Sequence, residues 1–180
     1  MIYKKVLVTS TSFAKIDDTP IKLLKKHNWE VIFRKGPFDD DQLASLIQDA
    51  DAVIVGIDRV GPKTIAAAKQ LKVIVKHGTG TDNIDLEAAE KAGKKVINVP
   101  HTNAIAVAEY VFAGIFHLIR PLAAAYESIQ NGKWDGPAFT GSELHEKILG
   151  IVGFGHIGQI TARIGKGFGM QVLYYDLVRN

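Results

Sequence analysis

Near the end of this 180-residue sequence, Gly153-x-Gly155-x-x-Gly158 is followed, at the close of the next apolar run, by Asp176. Glycines at this spacing suit one task. Gly153 permits a tight turn out of a strand, Gly155 lets backbone approach a pyrophosphate, and Gly158 lets a helix pack close to a sheet. The helix N-terminus then offers unpaired N–H groups and the positive end of its dipole to phosphate oxygens. A carboxylate at Asp176 can accept hydrogen bonds from ribose hydroxyls and would repel a 2′-phosphate, so the cofactor expected is NAD and not NADP. The competing reading is a glycine-rich turn with no ligand. His156 and Ile157 lie inside the fingerprint; a protonated His156 could add a pyrophosphate contact, or could be an exposed first-turn residue.

A second loop, "HGTGTDNID" at 77–85, follows another apolar run. Gly78-Thr79-Gly80 could form a nest of backbone N–H donors for an anionic substrate at the carboxyl edge of a sheet. It could equally be a structural loop closed by an Asx turn through Asp82 and Asn83, and the pattern leaves both open. The absence of cysteine excludes thiolate catalysis and Cys-ligated zinc. The six His residues, at 27, 77, 101, 117, 145 and 156, have no ligand spacing, and Asp39-Asp40-Asp41 reads as a helix cap in preference to a metal cluster. No metal site is expected.

The elements that must position these loops follow from hydrophobic periodicity. Strand-length apolar runs at 4–9, 30–34, 51–55, 72–76 and 95–99 alternate with helical patterns, the first opened by Thr19-Pro20 as N-cap and N1 and later ones by Asp39, Pro62 and Asp85. Such alternation predicts an α/β fold, with residues 1–99 as a flavodoxin-like, doubly wound parallel domain of five strands. Residues 100–180 then hold a long helix from Asn103, interrupted at Pro121, and the first βαβ unit of a Rossmann domain: strand 147–152, helix 156–168 and strand 171–175. The helix "AIAVAEYVFAGIFHLI" is apolar nearly all round, which predicts burial between domains or subunits. It is shorter than the roughly 20 residues a bilayer requires, so no membrane partner is expected. A net charge of +3 without a basic run argues against nucleic acid. The N-terminus lacks a cleavable signal pattern, which makes a cytoplasmic location the expectation.

Together with "NVPHTNAIAVAEYVFAGIFHLIR", these loops resemble the D-isomer-specific 2-hydroxyacid dehydrogenases, most closely their phosphoglycerate dehydrogenase branch. The resemblance runs from about residue 50 to the end, while residues 1–49 fit by pattern only. It implies a substrate-binding domain at 1–99 and part of an NAD-binding domain at 100–180. It further implies a cleft between the two domains and a homodimer built around the helix from Asn103. Gly78, Thr79 and Gly80 would meet a 2-hydroxy or 2-oxo acid carboxylate. Thr79 and Asn103 would lie near the nicotinamide, His156 and Ile157 would line the pyrophosphate, and Asp176 would take the adenosine ribose.

Three departures shape the expected function. Gly56 and Ile57 stand where phosphoglycerate-specific members carry an arginine-serine pair, with Arg59 as a shifted substitute; Leu177 replaces a proline after the acid. The family's catalytic arginine, carboxylate and histidine would lie beyond Asn180, so no catalytic residue is assigned within the 180 residues. The expectation is a dehydrogenase transferring hydride between a hydroxy acid and NAD, with the isolated chain inactive. The alternative is a non-catalytic, self-associating nucleotide-binding module; a dehydrogenase-like corepressor ranks third.

Overall fold

A computed structural model describes residues 4–178. Met1, Ile2 and Tyr3, which precede the first predicted strand, and the closing residues Arg179 and Asn180 lie outside the described residues. The chain forms two compact units, Met1–Pro100 and His101–Asn180.

In the first unit β1 (Lys4–Val8), β2 (Trp29–Phe33), β3 (Ala52–Val55), β4 (Val73–Lys76) and β5 (Lys95–Ile97) alternate with α1 (Thr19–Lys26), α2 (Asp40–Leu46), α3 (Pro62–Ala67) and α4 (Leu86–Lys91). All pairings are parallel, in the order β2-β1-β3-β4-β5. This is the flavodoxin-like order, and it brings the ends of β1 and β3 together at the carboxyl edge. Alternating side chains supply two apolar layers. Leu7, Val53, Val55 and Ile74 face Leu43, Ile47, Ile65 and Ala89 from the α2–α4 side. Val6, Val8, Ala52 and Ile54 face Leu24 of α1 and Phe13 on the other. The central strand β3 is buried throughout, which explains its unbroken Ala-Val-Ile-Val sequence.

Helix starts follow local capping chemistry, with one shift. Asp39 caps α2 through a reciprocal box with Gln42, and Asp85 caps α4 through the Ala88 N–H. For α1 the N-cap is Asp18, one residue before the predicted Thr19. The Thr19 hydroxyl and N–H both bond to Asp17 Oδ1, at 2.9 and 3.1 Å, which removes Thr19 as a cap. Helix α3 draws both of its end groups from distant sequence. Asp40 accepts the N–H groups of Gly61, Lys63 and Thr64 at its start. The buried Lys94 ammonium donates to the carbonyls of Ala68 and Leu71 past its end.

The second unit holds α5 (Ala104–Ile119), α6 (Leu122–Gln130), a 3₁₀ turn at Gly136–Phe139, β6 (Ile148–Val152), α7 (His156–Gly167) and β7 (Gln171–Tyr175). Strands β6 and β7 pair in parallel, Leu149 opposite Val172 and Val152 opposite Tyr175. Their core joins Phe112, Leu144 and Met170 to Ile115, Phe116, Leu149 and Ile164. Only Ala104, Ala108 and Phe112 of α5 are buried, one line at i, i+4 spacing. The chain bends by 58° between α5 and α6, where Pro121 cannot continue the helix. No single helix among the described residues is long and apolar enough to cross a membrane.

Candidate functional site

The fingerprint occupies the turn from β6 into α7. The ladder continues one residue past the strand, with Gly153 N–H donating to Tyr175 at 2.8 Å, and Gly153 then turns away at φ 90°, a conformation that favours glycine. Gly155 is the N-cap of α7 and His156 its first residue. A Cβ at Gly158 would lie 2.3 Å from the carbonyl oxygen of Gly153, so only glycine lets the helix approach this closely. A Cβ at Gly155, in contrast, would meet no protein atom within 4 Å. No side chain caps α7, which leaves its first-turn N–H groups facing this open space.

Asp176 follows β7 and closes the mouth of the turn. Its carboxylate accepts the Phe154 N–H from within the fingerprint and the Val178 N–H at 3.1 Å. The Phe154 N–H, and then that of Val178, hold its carboxyl below the usual carboxylate range. An ionised carboxylate has about four acceptor directions, so capacity remains beyond these two bonds. Phe154 also stacks on Tyr174, with ring centroids 3.9 Å apart.

His156 has a neighbour that its sequence position does not announce. Its ring stacks on that of His101 at 3.7 Å between centroids and 18° between planes. His101 holds a left-handed backbone, φ 65°, two residues before Asn103, the N-cap of α5. The carbonyl of Asn103 accepts the Val107 N–H at 2.9 Å. Ile157 occupies the second position of α7 and is partly exposed.

The loop at 78–80 lies at the carboxyl edge of the five-stranded sheet. His77 extends the β3–β4 ladder, its N–H donating to Val55 at 2.8 Å. The Gly78 N–H turns back to the carbonyl of Lys76 at 2.9 Å, while its own carbonyl accepts the Val99 N–H at 3.0 Å. The three amides therefore do not all point outward. Thr79 donates its hydroxyl to Val99 and accepts Asn98 Nδ2 at its carbonyl, which clips the loop to the chain leaving β5. Asn83 bridges neighbouring loops: its Nδ2 donates to the carbonyls of Gly56 and Asp58, and its Oδ1 accepts Lys76 Nζ at 2.7 Å.

A cavity of about 320 Å³ opens beside Gly78. Its walls come from the ends of β1, β3 and β4 and from Gly36 and Pro37 after β2. Asp58 is buried there and accepts Thr9 Oγ1 at 2.7 Å, the Phe38 N–H at 2.9 Å and the Gly56 N–H at 3.1 Å. Ser10 and Ser12 approach His77 Nδ1 at 2.8 and 3.2 Å. The sequence reading missed Asp58, Lys76 and the two serines; the available signal was several polar residues directly after the apolar strands. Among the described residues, no group of three His, Asp or Glu side chains gathers as a metal site.

Comparison with known proteins identifies the class. The family model for the D-isomer specific 2-hydroxyacid dehydrogenase catalytic domain matches residues 6–164, and the chain belongs to that family. It is 36% identical to the D-3-phosphoglycerate dehydrogenase of Sus scrofa over 174 residues, 96% of this chain and 32% of that protein. It is 37% identical to the hydroxypyruvate reductase of Thermotoga maritima over 155 residues, 86% of this chain and 50% of that one. Among solved structures, the NAD+-bound 3-phosphoglycerate dehydrogenase of Entamoeba histolytica superposes with a TM-score of 0.77 at 30% identity, covering 99% of this chain and 56% of that one. The chain thus spans from just under a third to somewhat over half of the relatives it matches.

Proposed function

We propose that this chain carries the substrate-binding domain, residues 1–99, and the leading part of the NAD-binding domain, residues 100–180, of a dehydrogenase acting on 2-hydroxy or 2-oxo acids. The observation that carries this reading is the uncapped start of α7 facing clear space at Gly155, with the Asp176 carboxylate bonded to the same turn. Both features suit a dinucleotide: N–H donors for a pyrophosphate and a carboxylate for ribose hydroxyls. Bound NAD would supply the hydride acceptor or donor. Gly153, Gly155, His156, Ile157 and Gly158 would seat its pyrophosphate, with Thr79 and Asn103 at the nicotinamide end. Gly78, Thr79 and Gly80 would lie against the substrate carboxylate, with the Gly78 N–H itself taken up by the Lys76 carbonyl.

Oxidation of a hydroxy acid also needs a base to take the hydroxyl proton. No His in the described residues is held by a carboxylate that would orient it for this work. The 180 residues are therefore proposed to bind without turning over. Calorimetry with NADH and NADPH tests the reading, alongside an assay for NADH production from D-2-hydroxy acids. NADH binding at least tenfold tighter than NADPH, with no turnover, is expected. Equal binding of the two, or turnover above background, overturns it.

A second reading, a self-associating module, draws on one observation. On α5, Tyr110 is 79% and Leu118 85% exposed, large apolar side chains that a second copy of the chain would cover. Association through this face into a homodimer is compatible with either reading, and light scattering measures it directly.

A further inference from the structure

We propose that the stacked rings of His101 and His156 act as one proton-binding pair at the start of α7, so that a dinucleotide is held more tightly as the pH falls from about 8 to about 6. The inference rests on the assignment of a pyrophosphate to the fingerprint turn. His156 is the first residue of α7, next to the clear space at Gly155, so its side chain branches from the helix end that the phosphates would meet.

The geometry of the pair selects a single proton. The ring centroids are 3.7 Å apart and the planes 18° apart. Carbon atoms in good contact already stand about 3.5–4.0 Å from one another, so the rings overlap with little offset. Two neutral rings avoid such overlap, because each presents the same sign of charge at its face. Two imidazolium rings repel outright. One imidazolium on one neutral ring is the attractive combination, the cation resting on the electron-rich face of its partner. His101 brings that face from outside the helix. Its backbone is left-handed, φ 65°, and its carbonyl accepts the Ala104 N–H at 3.2 Å, which ties it to the first turn of α5. His101 is thus a positioning residue for the charged His156 ring.

The charged and titratable groups on the elements packed here are Asp176, Tyr174 and Tyr175 at β7, Arg163 and Lys166 on α7, and Glu109, Tyr110 and His117 on α5; β6 carries none. The Phe154 and Val178 N–H groups hold the Asp176 carboxyl below the usual range, so its charge is constant between pH 6 and 8. Side-chain types other than histidine ionise outside that interval. Of the other histidines in 101–180, His117 lies in the last turn of α5 and His145 against Gly169, past the far end of α7. The phosphate charges of NAD+ do not change over the interval either. An anion beside an imidazole favours its charged form, and by reciprocity the proton favours the anion. The gain is present where the pair is protonated and is lost as the pH rises.

The test is calorimetry of NAD+ with the 180-residue chain across this interval, in two buffers of unlike ionisation enthalpy. The expected result is roughly fivefold tighter binding at pH 6 than at pH 8, with uptake of part of one proton between them. His156→Gln should bind at the weaker level throughout. His101→Asn, which tolerates a left-handed backbone but has no ring, should do the same. His101→Phe restores a ring face and should restore the pH dependence. A parent affinity that is flat with pH, a dependence that survives in His156→Gln or His101→Asn, or one that His101→Phe does not restore, overturns the inference alone. If NAD+ binds at no pH, the dinucleotide reading falls and takes the inference with it.

Discussion

The Asp176 carboxylate accepts the backbone N–H of Phe154, which ties the end of β7 to the turn that opens α7. The bond holds the Asp176 carboxyl below the usual range, with the Val178 N–H as the next cause. A carboxyl whose folded-state pKa is depressed adds stability above its unfolded value, about 4, and loses it as the pH falls through the folded value. The Asp176 resonance should therefore titrate below that of an unstructured peptide aspartate, and the β7–α7 contacts should loosen only on that acidic flank. Carboxyl-carbon NMR from neutral pH downward reads both. Asp176→Asn should also narrow the preference for NADH over NADPH to a few-fold, measured by calorimetry.

Two glycines in the same turn should respond oppositely. Gly158→Ala places a Cβ 2.3 Å from the Gly153 carbonyl and must push α7 off the sheet, at a cost of about 1–3 kcal/mol in urea unfolding. Gly155→Ala meets nothing in the protein, so the unfolding midpoint should fall by no more than the weaker N-cap costs while NADH affinity drops. Equal loss of stability in both variants would count against the turn having space reserved for a ligand.

Asp40 carries the start of α3 from the start of α2. Burial works against its ionisation, yet hydrogen bonds from Thr64, Lys63 and Gly61 outweigh that and leave its carboxyl below the usual range. Asp40→Ala removes the cap from α3 while leaving the Asp39 box of α2 in place. Destabilisation of about 1–2 kcal/mol is expected, shrinking below pH 4 as the native carboxylate itself protonates, and denaturation at two pH values measures it.

Leu118→Glu adds a charge to the exposed α5 face without touching the buried line of Ala104, Ala108 and Phe112. If this face joins two copies of the chain, the variant should scatter as a monomer at concentrations where the parent does not. An unchanged mass for both would remove α5 from the interface.

The sequence was most informative where structure is set by near neighbours. The seven strands among the described residues fall within a residue or two of the apolar runs, and the fingerprint glycines sit at a strand-to-helix turn because each serves a backbone need that spacing reveals. Groups brought together across long stretches of chain were not legible. Asn83 spans two loops, Asp40 caps a helix more than 20 residues on, and His156 stacks on His101; none of these has a periodicity or a cap signature. The shift of the α1 cap from Thr19 to Asp18 has the same origin, since a competing carboxylate at Asp17 claimed the hydroxyl that the local pattern had reserved.

Helix α3 is six residues long, too short to persist by itself in water, and it rests on a carboxylate from α2 at one end and an ammonium from the edge of β5 at the other. Its amide hydrogens therefore cannot exchange slowly unless both of those distant elements are in place. In hydrogen-exchange measurements they would serve as a gauge of whether the whole substrate-side sheet has assembled, rising and falling with strands to which α3 is not adjacent in sequence.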